Sequence, residues 1–226
     1  MSVYSTIVKF FQEGGIFMYP ILIVLALGVA IAVERWLFLT MTTAKNKALW
    51  NAVTPYLKSG NIAGALQVTS KSKAAIAQIM TYGLNRVRSA RRREDVEQAM
   101  EESLMEVMPR LEKRTHYLAT FANIATLLGL LGTIIGLITA FTAVSNANPA
   151  EKADLLSASI SVAMNTTAFG LIVAIPLLLL HTVLQTKTTE IVDSLEMASV
   201  KFLNAITERA NAPAAEAQAP AKAPGR

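Results

Sequence analysis

The uncharged stretch from Ser157 to Thr182 constrains the fold more than any other part of the sequence. It contains no Asp, Glu, Lys or Arg. It is long enough to cross a membrane, since a hydrocarbon layer of about 30 Å needs a helix of ~20 residues. Its first half carries polar side chains, among them Asn165, Thr166 and Thr167, whereas its second half is almost purely aliphatic. Such a helix needs polar neighbours, because unpaired polar groups are costly in hydrocarbon.

Composition narrows the functional classes. The chain has 226 residues, of which 53% are hydrophobic and 16% are charged, so it is too apolar for an ordinary soluble domain. It has no cysteine and only two histidines, His116 and His181, which argues against a thiolate or histidine metal centre. No phosphate loop, metal cluster or nucleophile–base pair is recognisable. We therefore expect no catalytic residue, no cofactor and no metal, and we do not expect an enzyme.

Two further segments have the length and apolarity of membrane helices, so the sequence predicts three spans, over 14–41, 116–144 and 157–185. The first apolar run is longer than the core of a signal peptide, and we expect it to be retained. Residues 1–13 have apolar side chains on roughly one helical face, which favours an amphipathic segment at the membrane surface; the alternative is a frayed terminus.

Charge predicts the topology. The segment 42–115 carries thirteen Lys and Arg, whereas the loop 145–156 carries only Lys152. The positive-inside rule places 42–115 and the C-terminus in the cytoplasm, and the N-terminus and the loop in the periplasm. The run 91–93 is all Arg, but five carboxylates follow it closely. They favour a solvated, self-compensating face over a nucleic-acid site; they are Glu94, Asp95, Glu97, Glu101 and Glu102.

Helical spacing continues outside the spans. It predicts cytoplasmic helices over 46–58, 62–70 and 74–89, and a longer helix that starts at Arg93, contains Pro109 as a kink site and continues into the second span. A further cytoplasmic helix is predicted over 186–209, and the Ala/Pro-rich tail over 210–226 has the composition of a disordered segment. The predicted fold class is an all-α membrane protein with three transmembrane helices and long cytoplasmic helical extensions.

Small and polar residues mark the second and third spans. Glycines and one proline in these spans predict close helix packing, with Gly132-xxx-Gly136 as the central motif. The predicted packing residues are Gly129, Gly132, Gly136, Gly170 and Pro176. Thr126, Thr139 and Thr142 are expected to hydrogen-bond to their own helix backbone. The candidate ion pathway consists of Thr133, Asn165, Thr166 and Thr167, with an interhelical hydrogen bond between subunits as the alternative role of Asn165.

The segment LLGLLGTIIGLITAF (127–141), followed by ISVAMNTTAFGLIVAIP (160–176), resembles the MotA/TolQ/ExbB family, and most closely its three-span TolQ/ExbB branch. The resemblance implies a homo-pentamer around a central pore in the bacterial inner membrane. It also implies two copies of an ExbD/TolR-like single-span partner with an ion-binding Asp, and a TonB/TolA-like energy transducer. Thr133 and Thr167 match the pore threonines of the family, while Val162 stands where the branch commonly has Glu.

Two functions follow from these patterns. The first is an ion-conducting motor subunit, driven by protons or sodium ions, whose titrating carboxylate comes from the partner because the two polar spans have none. The alternative is a non-conducting membrane scaffold that recruits cytoplasmic proteins through 42–115. A solute transporter has less support, since no inverted repeat or pair of broken helices is recognisable.

Overall fold

The computed structural model describes residues 10–11, 14–87, 89–90 and 92–217, and these residues contain helices and turns but no strand. Six helices follow one another in this part of the chain: α1 Met18–Ser59, α2 Ile62–Ser70, α3 Ala75–Val87, α4 Arg93–Glu112, α5 Thr115–Asn146 and α6 Lys152–Ala217. Helix α6 extends into the segment 210–226 that was predicted to be disordered, and residues 218–226 lie outside the described residues, as do most of residues 1–13. The all-helical fold class is confirmed.

The chain divides into two compact units. The membrane unit comprises Met1–Trp36 and Arg114–Thr186, and the charged unit comprises Leu37–Lys113 and Lys187–Arg226. Three helical stretches are long and apolar enough to cross a membrane: they lie within Met18–Ser59, Arg93–Ser145 and Lys152–Thr207. Their number agrees with the three predicted spans, and the finding supports a multi-pass membrane protein.

The core of the membrane unit is built from small and aliphatic side chains. Its fully buried members are Ile21, Ala122, Ala125, Val173, Ala174 and Leu177. Large apolar side chains lie on the outside of the same helices, where Leu127 is 63% exposed and Leu179 is 64% exposed. Exposed apolar surface of this extent is rare on soluble proteins, and it fits helices that face lipid or other chains.

Helix α1 is longer than the sequence predicts. The span was predicted to end at 41 and to be followed by a separate helix over 46–58, but α1 is continuous to Ser59. Thr42 and Thr43 donate their hydroxyl protons to the carbonyls of Phe38 and Leu39, at 2.8 and 3.0 Å, so these polar residues do not interrupt the helix. The chain turns only at Gly60, whose φ of +72° suits glycine.

The charged unit has its own core, centred on the fully buried Phe202 of α6. Gly83 of α3 lies so close to this ring that a Cβ atom there would be 3.0 Å from Phe202 and 2.8 Å from Met100. Asn46 of α1 is also buried, and its Oδ1 accepts a hydrogen bond of 3.3 Å from the backbone nitrogen of Ile76 in the first turn of α3. This side-chain cap satisfies one of the free donors at the start of that helix.

The break between α4 and α5 falls at Lys113 and Arg114, and not at Pro109, which α4 accommodates. The helix that was predicted to run without a break from Arg93 into the second span is therefore divided into two helices. Arg114 has a φ of +68°, a left-handed conformation that disfavours residues with a Cβ atom. Its Nη1 donates to both carboxylate oxygens of Glu34, at 2.9 and 2.7 Å, and this ion pair offsets part of the strain.

Substitutions at Arg114 should separate backbone strain from the ion pair. Both Arg114→Ala and Arg114→Gly remove the pair, but only glycine adopts the left-handed conformation without penalty. We expect Arg114→Gly to be more stable than Arg114→Ala by about 1 kcal/mol in the free energy of unfolding. Glu34→Gln keeps the strain and weakens the half-exposed pair, which should cost at most about 1 kcal/mol. Thermal unfolding in detergent micelles measures all three, and equal stability of the two Arg114 variants would contradict this account.

Candidate functional site

Helices α5 and α6 approach each other closely at two glycines. A Cβ atom on Gly170 would lie 2.7 Å from the carbonyl oxygen of Ala125 and 3.1 Å from the Cα atom of Gly129. A Cβ atom on Gly129 would lie 3.3 Å from the Cα atoms of Gly170 and Thr167. The two backbones are therefore nearly in contact. Only glycine, which has no Cβ atom, permits so short a distance between the helices here.

This approach brings two of the predicted pathway threonines together. Thr133 of α5 and Thr167 of α6 are hydrogen-bonded through their Oγ1 atoms. Each hydroxyl also lies within hydrogen-bond distance of the carbonyl oxygen of Gly129, at 3.1 Å for Thr133 and 2.9 Å for Thr167. Both side chains are half-buried. We call these three oxygen atoms the hydroxyl cluster.

The hydroxyl cluster has more acceptors than protons. Two hydroxyl protons serve three contacts, so one hydroxyl donates to the carbonyl while the other donates to the first hydroxyl. The remaining lone pairs can accept a proton from another group or contribute to the hydration of a cation. Neutral oxygens of this kind bind ions weakly enough to release them, as conduction requires.

Thr166 has different partners from its neighbour Thr167. Its side chain is 2% exposed, and its hydroxyl lies 2.6 Å from the carbonyl oxygen of Gly14 and 2.9 Å from that of Val162. Gly132 packs against its side chain. Successive helix residues point about 100° apart, so two adjacent threonines serve different sides of α6. We call the described residues before α1, 10–11 and 14–17, the N-terminal segment. The structure thus links Thr166 to the N-terminal segment and leaves it outside the hydroxyl cluster.

The N-terminal segment covers one face of α6. A Cβ atom on Gly15, whose φ is +74°, would lie 3.1 Å from Val162. The rings of Phe10 and Phe11 make edge contacts with Phe169, at centroid distances of 6.4 and 5.8 Å. Val162, Thr166 and Phe169 have the i, i+4, i+7 spacing of one helical face. The N-terminal segment therefore packs against this one face of α6.

The other predicted pathway and packing residues lie apart from the cluster. Asn165 is half-buried, and its amide makes no hydrogen bond to any residue that the structure describes. Pro176 lies on an exposed side of α6, which continues through it. Gly136 lies against Ala163, where an added Cβ atom would come within 2.8 Å of the alanine Cβ. Val162 lines a cavity of about 330 Å³ between residues 14–17, α5 and α6.

Three threonines hydrogen-bond to the backbone of their own helix, as the sequence predicts. Thr126, Thr139 and Thr142 donate to the carbonyl oxygens four residues earlier, at 3.1, 2.9 and 2.9 Å. The sequence does not indicate the acceptors that distinguish the other threonines, namely the carbonyls of Gly129 and Gly14. The small-residue pattern indicates where backbones approach, but no residue pattern identifies a carbonyl as a hydrogen-bond partner across two helices.

No metal site is recognisable in this part of the molecule. Within residues 10–11, 14–87, 89–90 and 92–217, no three His, Asp or Glu side chains are placed to bind one ion. His116 and His181 face each other at a ring-centroid distance of 6.2 Å. Two imidazoles alone do not make the usual four-ligand site.

A valine at position 166 should test the hydrogen bond between α6 and the N-terminal segment. Thr166→Val keeps the side-chain shape but leaves the Gly14 carbonyl without its donor, which should lower the free energy of unfolding by about 1–3 kcal/mol. Thr166→Ser retains the hydroxyl and should lose less. The matched control is Thr139→Val, whose exposed hydroxyl bonds only within its own helix and should be nearly neutral. Thermal unfolding in micelles compares the three; equal losses for Thr166→Val and Thr139→Val would refute the role of Thr166.

Similar chains include biopolymer transport proteins. The chain is 28% identical over 199 residues to a putative biopolymer transport protein ExbB homolog of Methanothermobacter thermautotrophicus, which covers 87% of this chain and 69% of that protein. It is 28% identical over 180 residues to the biopolymer transport protein exbB1 of Vibrio cholerae, covering 73% of each. Over 66 residues it is 41% identical to the Tol-Pal system protein TolQ of Haemophilus influenzae, covering 29% of this chain and 28% of that protein.

The match to a protein family includes the whole hydroxyl cluster. The sequence pattern of the MotA/TolQ/ExbB proton channel family fits residues 71–197, which is more than half of the chain and contains Gly129, Thr133 and Thr167. The resemblance inferred from the sequence is therefore confirmed: the chain belongs to the MotA/TolQ/ExbB proton channel family.

Proposed function

We propose that this protein is the pore-forming subunit of an ion-driven motor in the bacterial inner membrane. Five copies surround an axial pore, and two copies of an ExbD/TolR-like single-span partner occupy it and supply the ion-binding Asp. The N-terminus lies in the periplasm and the C-terminus in the cytoplasm, as the distribution of Lys and Arg favours. Membership of the proton channel family supports conduction, and the names of the relatives favour biopolymer transport as the driven process.

The hydroxyl cluster is the observation that carries this proposal. A carboxylate of the partner is expensive to hold in a dry membrane pore, and the threonine oxygens lower that cost by hydrogen bonding. The polar stretches of α5 and α6 contain no Asp or Glu of their own, so the cluster does not trap a cation in a permanent ion pair. Transient contact with the ion is what fast transfer requires.

The energy available suits a mechanical role. One charge that crosses the membrane gains about 2.3 kcal/mol for each 100 mV of potential. A few ions therefore supply enough free energy to switch a packed interface between two arrangements. The relative motion of subunit and partner then does work on a TonB/TolA-like transducer.

Removal of either hydroxyl should slow ion flux. Thr133→Val and Thr167→Val each delete one hydrogen-bonding group without a change of shape, and we expect each to lower partner-dependent flux in reconstituted vesicles by about tenfold or more, the equivalent of ~1.4 kcal/mol. The double variant should lose little more, because the two hydroxyls act as one unit. The control Thr142→Val removes a hydroxyl that bonds within its own helix and should conduct normally.

Assembly must be measured in parallel, by native mass spectrometry of the complex with its partner. Normal flux through a correctly assembled Thr133→Val/Thr167→Val complex would refute the proposed pathway. Absence of flux from the unsubstituted complex would instead favour the non-conducting scaffold. Flux in sodium-free and sodium-containing buffer identifies the ion.

A further inference from the structure

The charged unit carries an acidic groove between α4 and α6. The groove has a volume of about 500 Å³, and its floor is rich in methionine, with Met105 67% exposed. Three carboxylates line it: Glu97, Glu101 and Glu196. Methionine-lined apolar surface adapts to varied partners, and carboxylates around it favour a basic one.

A basic groove lies on the other side of α6, between that helix and α1. Its volume is about 320 Å³. Lys47 and Lys201 supply the charge, while Trp50 and the 57% exposed Met197 supply apolar surface. Trp and Met are over-represented in protein interfaces, where a large apolar group is anchored in a pocket.

The two grooves lie at the same level of one helix. The acidic groove uses α6 residues 196–203 and the basic groove uses residues 194–201. Met197 and Val200, which is 49% exposed, are neighbours on the helix surface and join the two grooves into one apolar strip. Copies of this chain that stand side by side in one membrane present these two surfaces to each other at matching height.

We propose that the acidic groove of one copy binds the basic groove of the next copy, head to tail. Three carboxylates then meet two lysines, and the Trp50 ring packs against the methionines. A two-fold contact between identical acidic grooves would place like charges together, which is unfavourable. Repetition of a head-to-tail contact closes into a ring when its rotation allows. The inference deepens the proposed function, since it assumes the homo-oligomer and names the surfaces that join it.

Cysteine cross-linking tests the contact directly, because the chain has no cysteine of its own. Met105→Cys and Thr43→Cys place one thiol at each groove, and both native side chains are exposed. In native membranes, a short bismaleimide should convert the double variant into a ladder of dimers, trimers and larger oligomers. Each single variant should stay monomeric. A control chain with Met105→Cys and Tyr82→Cys, which is exposed on α3, should give no ladder.

Charge exchange supplies the second measurement. Glu101→Lys with Glu196→Lys should reduce the cross-linked ladder by about tenfold, and so should Lys47→Glu with Lys201→Glu. All four changes together restore opposite charges across the contact and should restore the ladder to within about twofold of the original. High salt should weaken the original contact, as expected of exposed charges.

The inference is overturned if the original pair of thiols gives no ladder, if Met105→Cys alone gives dimers, or if the fourfold exchange gives no rescue. Loss of a bound basic polypeptide on Glu101→Lys, with the ladder unchanged, would assign the groove to another partner and also overturn it. The ladder does not depend on conduction. If it forms while flux is absent, the interface stands and the proposed motor function fails; if flux is normal without a ladder, the interface fails alone.

Discussion

The close approach of α5 and α6 at Gly129 and Gly170 is the interaction on which the membrane unit depends. Between helices in lipid there is no hydrophobic driving force, because acyl chains are as apolar as leucine, so association relies on close packing and hydrogen bonds. The two glycines allow near contact between the backbones. The same approach brings the Thr167 hydroxyl to 2.9 Å from the Gly129 carbonyl. Packing and polar chemistry thus have one geometric origin, and a side chain at either glycine would disturb both.

Six threonines of this unit fall into two kinds. The hydroxyls of Thr126, Thr139 and Thr142 each donate their proton to a carbonyl of their own helix, so these side chains need no partner from another helix. Thr133, Thr166 and Thr167 contact a second helix or the N-terminal segment, so their positions depend on tertiary packing. Only the second kind reports on how the helices are arranged, and only Thr133 and Thr167 share an acceptor.

Periodicity and small-residue spacing predict much of this architecture. Helix type and the three spans follow from long apolar runs, and the helix predicted over 62–70 has the observed bounds of α2, which Asn61 caps through a 2.8 Å bond to Gly64. The roles of adjacent threonines do not follow, because Thr166 and Thr167 are identical as sequence and differ only in which helix side each occupies. The position of the α4–α5 break is also not predictable from the sequence. A proline indicates a helix break by its residue type, whereas an arginine gives no indication that its φ is positive.

Two carboxylates of α4 line a groove that the sequence does not predict. The sequence predicts a self-compensating face for the carboxylates after the Arg run, and the backbone nitrogen of Arg92 donates to Asp95 at 3.3 Å in the first turn. Glu97 and Glu101 instead line the acidic groove, and Arg93 bonds to Asn204 at 3.0 Å. In water, unlike lipid, burial of exposed Met105, Met197 and Val200 releases hydrophobic free energy. In the proposed head-to-tail contact, the charged unit supplies this free energy, and the opposite charges determine which groove binds which.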